Sequence, residues 1–519
     1  MSFTLTTGGQ GTVSTAQVVW SVDGQTYKFR SDNNFLSWIT TIFTVADYLA
    51  TSDSTPDYRL LRPFPATESS GVGVGNTAGG ASALGAVTTG QNNSAFGKLA
   101  LSANLSGNEN SALGAGALQN NTVGGGNTAV GYYALRVNYG STNTALGANT
   151  LQANTAGAQN TAVGYASLQF ATSYSNNTAI GYYALRVSNG ASHNTAVGSN
   201  SLVASTTGAN NVAVGSQALS ANVTGSANVA LGYNSMGLGN AGTGNVGIGQ
   251  DALLNNTANN NVAIGYSALT SNTTGTSNLA IGYNALAVSG TGNSNVAVGE
   301  SALLANQSSE NTAVGVNALT ANTTGTRNVA VGFGTADALS TTSDITAIGY
   351  SVLGNATSGQ FNTGVGSNAL LSLTTGASNT AVGASALRTN QTADFNCAFG
   401  VSALRNAISS FGVGLGYQAL NNTVTGAGNT GVGYQAGTTL TSGASNTLIG
   451  TNANVDSNGR NNCIAIGRGA TAGAGGDGEV AIGSAGNPIL LSGTAGGSSG
   501  QHIVIRVNGT QYKIVLLNP

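Results

Sequence analysis

Polar and apolar positions along the chain follow two superimposed periods. The short one is two residues. In "NTAVG", from Asn127 to Gly131, an apolar Val130 stands just before the glycine and Ala129 two before it is flanked by Thr128. Alternation of this kind is the signature of a β-strand, whose successive side chains point to opposite faces. The long period is 17 residues. Aligned on the glycine of this motif, the register runs through Gly97, Gly114, Gly131, Gly147, Gly164, Gly181, Gly198 and Gly215 and onward to Gly483, giving 24 units. Eighteen of the 23 steps are 17 residues and five are 16, a regularity that chance does not hold over this length.

Each column of the repeat has a physical reading. Asn stands four before the glycine in 20 of the 24 units, as at Asn127, Asn160, Asn177, Asn211 and Asn278. The residue before the glycine is always apolar, and two before it is Ala in 19 units. Four after the glycine is Leu in 18 units, among them Leu135, Leu151, Leu185 and Leu269, which predicts a second short strand after the turn. Turn-forming stretches such as "SANVTGSA" then lead to the next Asn. A unit of this size cannot bury a core alone, but stacked units can share one, which is the logic of a solenoid. The expected fold is therefore all-β, a parallel β-solenoid of about 24 rungs, some 115 Å long at a spacing of about 4.8 Å per rung. In such a stack the asparagines form a ladder. The glycines Gly131, Gly164, Gly181, Gly215 and Gly282 supply a backbone conformation that a Cβ would hinder.

The units "NNCIAIG" (461–467), "NNVAIG" (260–265) and "SNLAIG" (277–282) resemble the head repeats of trimeric autotransporter adhesins, repeats also found in fibre proteins of phages and large viruses. The resemblance covers residues 93–483. It implies a β-roll in which the Val/Ile column fills each roll while the Ala column faces a partner chain in a homotrimer. This unit is longer than the adhesin one by a "YxAL" segment, and the chain shows neither a coiled-coil stalk nor a membrane-anchor barrel. A virion fibre fits that pattern better: a rigid trimeric spacer that meets a host glycan or receptor. The alternative is a bacterial cell-surface adhesin or extracellular filament.

The two ends differ from the rod. "VVWSVDGQTYKFR" reads as a hairpin about Asp23-Gly24, and "VNGTQYKIV" echoes it about Asn508-Gly509. Residues Phe35 to Leu49 carry apolar positions near helical spacing. The expected division is an α+β attachment or cap module over 1–66, carrying the contact with a virion protein, then a Gly-rich linker with degenerate first rungs over 67–92. The rod follows over 93–486 and a hairpin cap or tip over 487–519.

Composition sharpens this picture. The chain has 519 residues with 78 Gly, and 6% are charged, against about 25% in an ordinary domain. Its 40% hydrophobic content separates it from disordered sequences, which lack the apolar residues to offset ordering entropy. A formal charge of −2 with no basic stripe argues against nucleic-acid binding. No stretch is apolar and long enough for a membrane span, and the start reads as no ordinary secretory signal.

Candidate chemistry is sparse. His193 and His502 are the only histidines, neither with a sequence-implied partner, and ten carboxylates are spread over the repeats from Gly97 to Gly483. Catalysis needs convergent titratable groups, so the chain reads as no enzyme. Cofactor and metal sites are likewise not expected: zinc would need clustered Cys and His. Cys397 and Cys463 lie 66 residues apart, about 19 Å at the stacking distance, too far for a disulfide within one chain. The remaining surface signal is a tyrosine one after the glycine, at Tyr132, Tyr165, Tyr182, Tyr233, Tyr266 and Tyr283. Such a column either contacts sugar rings of a glycan or fills grooves between protomers.

Overall fold

The computed structural model of this protein describes residues 4–6, 16–22, 25–31, 74–240, 242–473, 476–484, 487–488, 502–507 and 510–515. The chain forms two units, Met1–Thr67 and Glu68–Pro519. Within the first, Thr4–Thr6, Ala16–Val22 and Gln25–Ser31 make an antiparallel sheet whose register sets Val22 opposite Gln25, as the hairpin reading requires. The helical pattern at 35–49 lies outside the described residues. In the second unit the C-terminal pair His502–Val507 and Thr510–Val515 is also antiparallel, with Val507 opposite Thr510.

The rod is a parallel β-solenoid. Three-residue strands stack in strict register, Thr128–Val130 on Thr144–Leu146 on Thr161–Val163, each Thr on Thr and each Ala on Ala. The ladder begins one unit before the first glycine of the sequence register, at Thr77–Gly79, and runs to Val480–Ser484. No described residue is in an α-helix.

Inside and outside are the reverse of what the resemblance implied. Ala129, Ala162, Ala213 and Ala280 have no solvent exposure and line the lumen. The Val/Ile column points outward, with Leu146, Ile180, Leu231 and Ile348 exposed by 39–47%. The reason is room. Leu135, Leu151, Leu185 and their equivalents are fully buried in the same lumen, and opposite a leucine only a methyl group fits a close-packed interior.

The second strand expected around those leucines is not formed. Tyr133 and Leu135 both have left-handed backbone, with φ of 54° and 50°, and the pattern repeats at Tyr183 and Leu185. Two left-handed residues separated by one ordinary residue coil the chain sharply and drop the leucine into the lumen. L-residues adopt this conformation at a cost of roughly 1–2 kcal/mol each, about 2–4 kcal/mol for the pair. Burial of the leucine, worth about 1.5–3 kcal/mol, offsets most of it, together with rung-to-rung bonds from the Tyr133 N–H to the Ala115 carbonyl and from the Leu135 N–H to the Thr150 carbonyl. Two-residue strands do occur further along the unit, at Asn120–Asn121, Val137–Asn138, Ala153–Asn154, Phe170–Ala171 and Val187–Ser188.

The lumen conserves volume across rungs. Where Leu448 replaces the usual Ala, Gly437 replaces the usual Leu, and a Cβ on Gly437 would stand 3.0 Å from Leu448 Cδ1. Val352 occupies an ordinary alanine position, and Gly364 faces it: a Cβ there would lie 2.4 Å from Val352 Cγ1. Gly364→Ala is therefore expected to destabilise the rod by about 1–3 kcal/mol through overpacking. Adding Val352→Ala should recover most of that loss. Urea unfolding of the two single variants and the double variant measures the coupling.

Candidate functional site

Three features of the rod could carry function: the asparagine ladders within it, the outward strand face, and the aromatic column beside that face.

The predicted asparagine column is buried and hydrogen-bonded in nearly the same way along the rod, Asn396 Nδ2 being an exception that finds no partner. Asn127 accepts the Asn143 N–H on Oδ1 at 2.9 Å and donates from Nδ2 to the Gly140 carbonyl at 3.0 Å. Asn160 accepts the Asn177 N–H at 3.0 Å and donates to the Tyr174 carbonyl at 2.8 Å. Asn177 donates to the Ala191 carbonyl, Asn211 to Gly225 and Asn278 to Gly292. Each amide thus satisfies a buried backbone N–H of the next rung and a carbonyl of its loop, groups that are costly to bury unpaired. The glycine column serves the same stacking. Gly131, Gly164, Gly181, Gly215 and Gly282 have φ between 115° and 139°, and a Cβ on any of them would meet the carbonyl of the next glycine within 2.3–2.7 Å. These residues build the shaft and offer nothing to a ligand.

A second amide ladder escaped the sequence reading. Seven after the glycine, buried Asn121 donates to Asn104 Oδ1 at 3.0 Å, Asn138 to Asn121 at 2.9 Å and Asn154 to Asn138 at 2.6 Å. The column is broken by Ser188, Ser205, Leu373 and Leu440, so its periodicity is faint. The available signal was the pair of asparagines per unit, at Asn272 and Asn278 or Asn322 and Asn328.

The outward face of the strand ladder holds the residues one and three before each glycine. From Ser94 and Phe96 to Val480 and Ile482 these two columns contain Thr, Ser, Val, Ile, Leu, Phe and Cys397, and no charged residue. Phe96, Leu113, Phe399, Leu415 and Ile482 are about half exposed. Soluble monomers rarely leave so long a row of aliphatic and aromatic side chains uncovered as the column just before the glycine presents. Cys397 lies on this strip as an exposed free thiol, whereas Cys463 is a buried free thiol.

The tyrosine column borders the strip. Tyr132, Tyr165, Tyr182, Tyr233, Tyr266 and Tyr283 are each exposed by about half (46–53%). Where neighbouring rungs both carry one, the rings stack: Tyr165 on Tyr182 at 5.6 Å and Tyr266 on Tyr283 at 5.5 Å between centroids. A ring stacked on the next rung offers its hydroxyl edge to a ligand more than its face. A hydrogen bond to Tyr183 raises the Tyr182 pKa above the ordinary tyrosine value, burial adding to it, and Tyr133 does the same for Tyr132.

Charged groups elsewhere form exposed pairs. Arg327 holds Asp344 and Arg460 holds Asp456 through two hydrogen bonds each, lowering both carboxyl pKa values. Among the described residues no group of three or more His, Cys, Asp and Glu side chains gathers in metal-binding range. Among the described residues there is no helix long and apolar enough to cross a membrane. His193 sits on the exposed side of the loop before Asn194, with left-handed backbone at φ 61°.

No protein-family model, no curated protein and no solved structure matches this chain. The reading of its function therefore rests on the rod itself.

Proposed function

We propose that the chain is the shaft protein of a virion fibre, in which three copies pack side by side along their outward strand faces and link the particle to a host cell surface. The observation that carries this reading is the uncharged face. At about 4.8 Å per rung and about 10 Å per three-residue strand it offers roughly 1,100 Å² per copy, about 550 Å² toward each of two neighbours. Each pairwise contact therefore buries roughly 1,100 Å² in total, just above the ~1,000 Å² a specific interface needs, and three such contacts act together. Its backbone repeats in strict register from rung to rung, so further copies of the same chain can align with it rung by rung. Function is mechanical: many rung-to-rung bonds give stiffness, and three copies give avidity at the host surface. Residues 1–66, in a unit of their own, supply the attachment to a virion protein.

The test is solution mass. Light scattering of the full chain should return three times 50.8 kDa. Placing charges in the face by Val214→Glu with Leu231→Glu should return a single chain that keeps its β-sheet circular dichroism. Alkylation of Cys397 should be slow in the native assembly and fast in that variant. A wild-type mass of one chain would overturn the packing. Antibody labelling places the assembly: decoration of virions supports the fibre, and decoration confined to bacterial envelopes would make the chain a surface adhesin or filament instead.

A further inference from the structure

One stretch of the rod carries surface residues of its own, from Tyr132 to Arg186, the span of the near-duplicate sequences "YYALRV". Only here do two adjacent tyrosines follow the glycine and an arginine stand five after it. Extra parallel strands run through and just beyond this stretch, Asn120–Asn121, Val137–Asn138 and Ala153–Asn154 in one group and Phe170–Ala171 with Val187–Ser188 in another. One further pair, Asn454–Val455 on Thr471–Ala472, lies near the far end of the rod. Position five after the glycine runs along the edge of these strands as Gln119, Arg136, Gln152, Gln169 and Arg186.

The side chains in this row are organised. Arg186 packs between two rings, its guanidinium carbon 4.6 Å from the Tyr183 centroid and 5.5 Å from that of Phe170. Its Nε donates to Gln169 Oε1 at 3.0 Å, and Gln169 Nε2 donates to Gln152 Oε1 at 3.0 Å. Arg136 lies over Tyr133 in the same way, at 5.1 Å. Ring packing holds one face of the Arg136 guanidinium and sets two rings against that of Arg186, so the donors available to a planar carboxylate are the N–H groups at the guanidinium edge that no protein group takes up. No carboxylate supplies one: the arginines paired among the described residues are Arg327 and Arg460. Two oriented cations thus stand three rungs apart, about 14 Å at the stacking distance, joined by a row of amides and flanked by the Tyr132, Tyr165 and Tyr182 hydroxyl edges.

We propose that this row is a binding groove for an acidic polysaccharide whose carboxylates, set at intervals among neutral sugars, are held by Arg136 and Arg186 while amides and tyrosine hydroxyls bind the sugar hydroxyls. A nucleic acid fits the row poorly, because it brings a charge with every nucleotide and needs a matching run of cations. The inference does not depend on the virion reading, since a cell-surface filament would use the same groove.

The experiment uses the full chain and hyaluronan oligosaccharides, in which an acidic sugar alternates with a neutral one. Polygalacturonate, carboxyl-reduced hyaluronan and single-stranded oligothymidylate serve as comparison ligands, and binding is followed by calorimetry. Arg136→Gln with Arg186→Gln should weaken binding to the carboxylated polymers about tenfold or more, the effect of losing charge-assisted bonds, with unchanged thermal unfolding and unchanged assembly mass. Tyr133→Asn with Tyr183→Asn, which installs the residue native to this column at Asn149 and Asn200, should weaken it by less. Arg388→Gln with Arg405→Gln removes the same charge from the same column elsewhere on the rod and should change affinity less than twofold. The proposal is overturned if neither carboxylated polymer binds. It is also overturned if the carboxyl-reduced polymer or oligothymidylate binds as tightly, or if the Arg388/Arg405 control loses as much as the Arg136/Arg186 variant. Because mass is read on the same samples, loss of the groove and loss of the trimer are told apart.

Discussion

Gly215→Ala is expected to break the rod at one rung. The φ of Gly215 is 136°, in the region that disfavours any L-side chain, and the added Cβ would lie 2.3 Å from the Gly232 carbonyl oxygen. That oxygen belongs to backbone fixed by the next rung, so relief requires the stack itself to part. Backbone strain of about 1–3 kcal/mol and the clash together set the expected loss at about 4 kcal/mol or more. In a solenoid each unit is stabilised by its two neighbours. The damage should therefore stay local, dividing one cooperative unfolding transition into two and opening a protease site between 215 and 232. Gly290→Ala is the matched control. The nearest atom to its added Cβ is Thr273 Oγ1 at 4.0 Å, so its unfolding curve should overlay the wild type. Equal behaviour of the two variants would mean that the glycine column is not required for stacking.

The columns that could be read from sequence are those the backbone demands. A ladder of parallel rungs needs buried partners for its N–H groups and a residue without Cβ at its tightest approach, and Asn and Gly answer both needs in nearly every unit. Orientation was harder, because Ala and Val are both apolar and the larger one is the natural choice for a core. Yet the period of two already held the answer. Asn127 and Ala129 fall on the same side of the strand, and an amide ladder is useful only inside, so Ala129 had to be inside and Val130 outside. The width of the lumen is set by Leu135 from a different part of the unit, which a strand pattern alone does not show. The turn escaped for a similar reason: left-handed Tyr133 and Leu135 defy local preference and are held by tertiary burial. The row at Arg136 and Arg186 was visible only as a repeated "YYALRV"; the Phe170 and Gln169 beside Arg186 come from the rung before it, and only the stacking brings them together.

Asn160→Ala tests the ladder from within. The substitution removes the acceptor of the Asn177 N–H and the donor to the Tyr174 carbonyl. The chain itself shows how far such a gap can be repaired. Where Ile345 replaces the column asparagine, the following Asn362 donates both to Gly359 and to Gly376, taking up the stranded carbonyl; Asn429 does so after Gly412, with Gly426 and Gly443. The carbonyl is thus recoverable and the N–H is not. One buried orphan costs about 1–3 kcal/mol, and with the small cavity the expected loss is about 3 kcal/mol, independent of pH. Asn160→Asp should behave differently. The carboxylate still accepts the Asn177 N–H, but its other oxygen faces the Tyr174 carbonyl, and burial with no cation raises its pKa in the fold. A group whose folded pKa is raised favours the native state as it takes up its proton. This variant should therefore be least stable at neutral pH and gain stability as pH falls, when the carboxyl O–H can donate to Tyr174. The native Asp344 titrates with the opposite sign. Arg327 lowers its pKa, so its contribution is present at neutral pH and is lost as pH falls through that lowered value. Urea unfolding of both Asn160 variants at neutral and mildly acidic pH separates the two effects. A flat profile for Asn160→Asp would show that the ladder position is open to water.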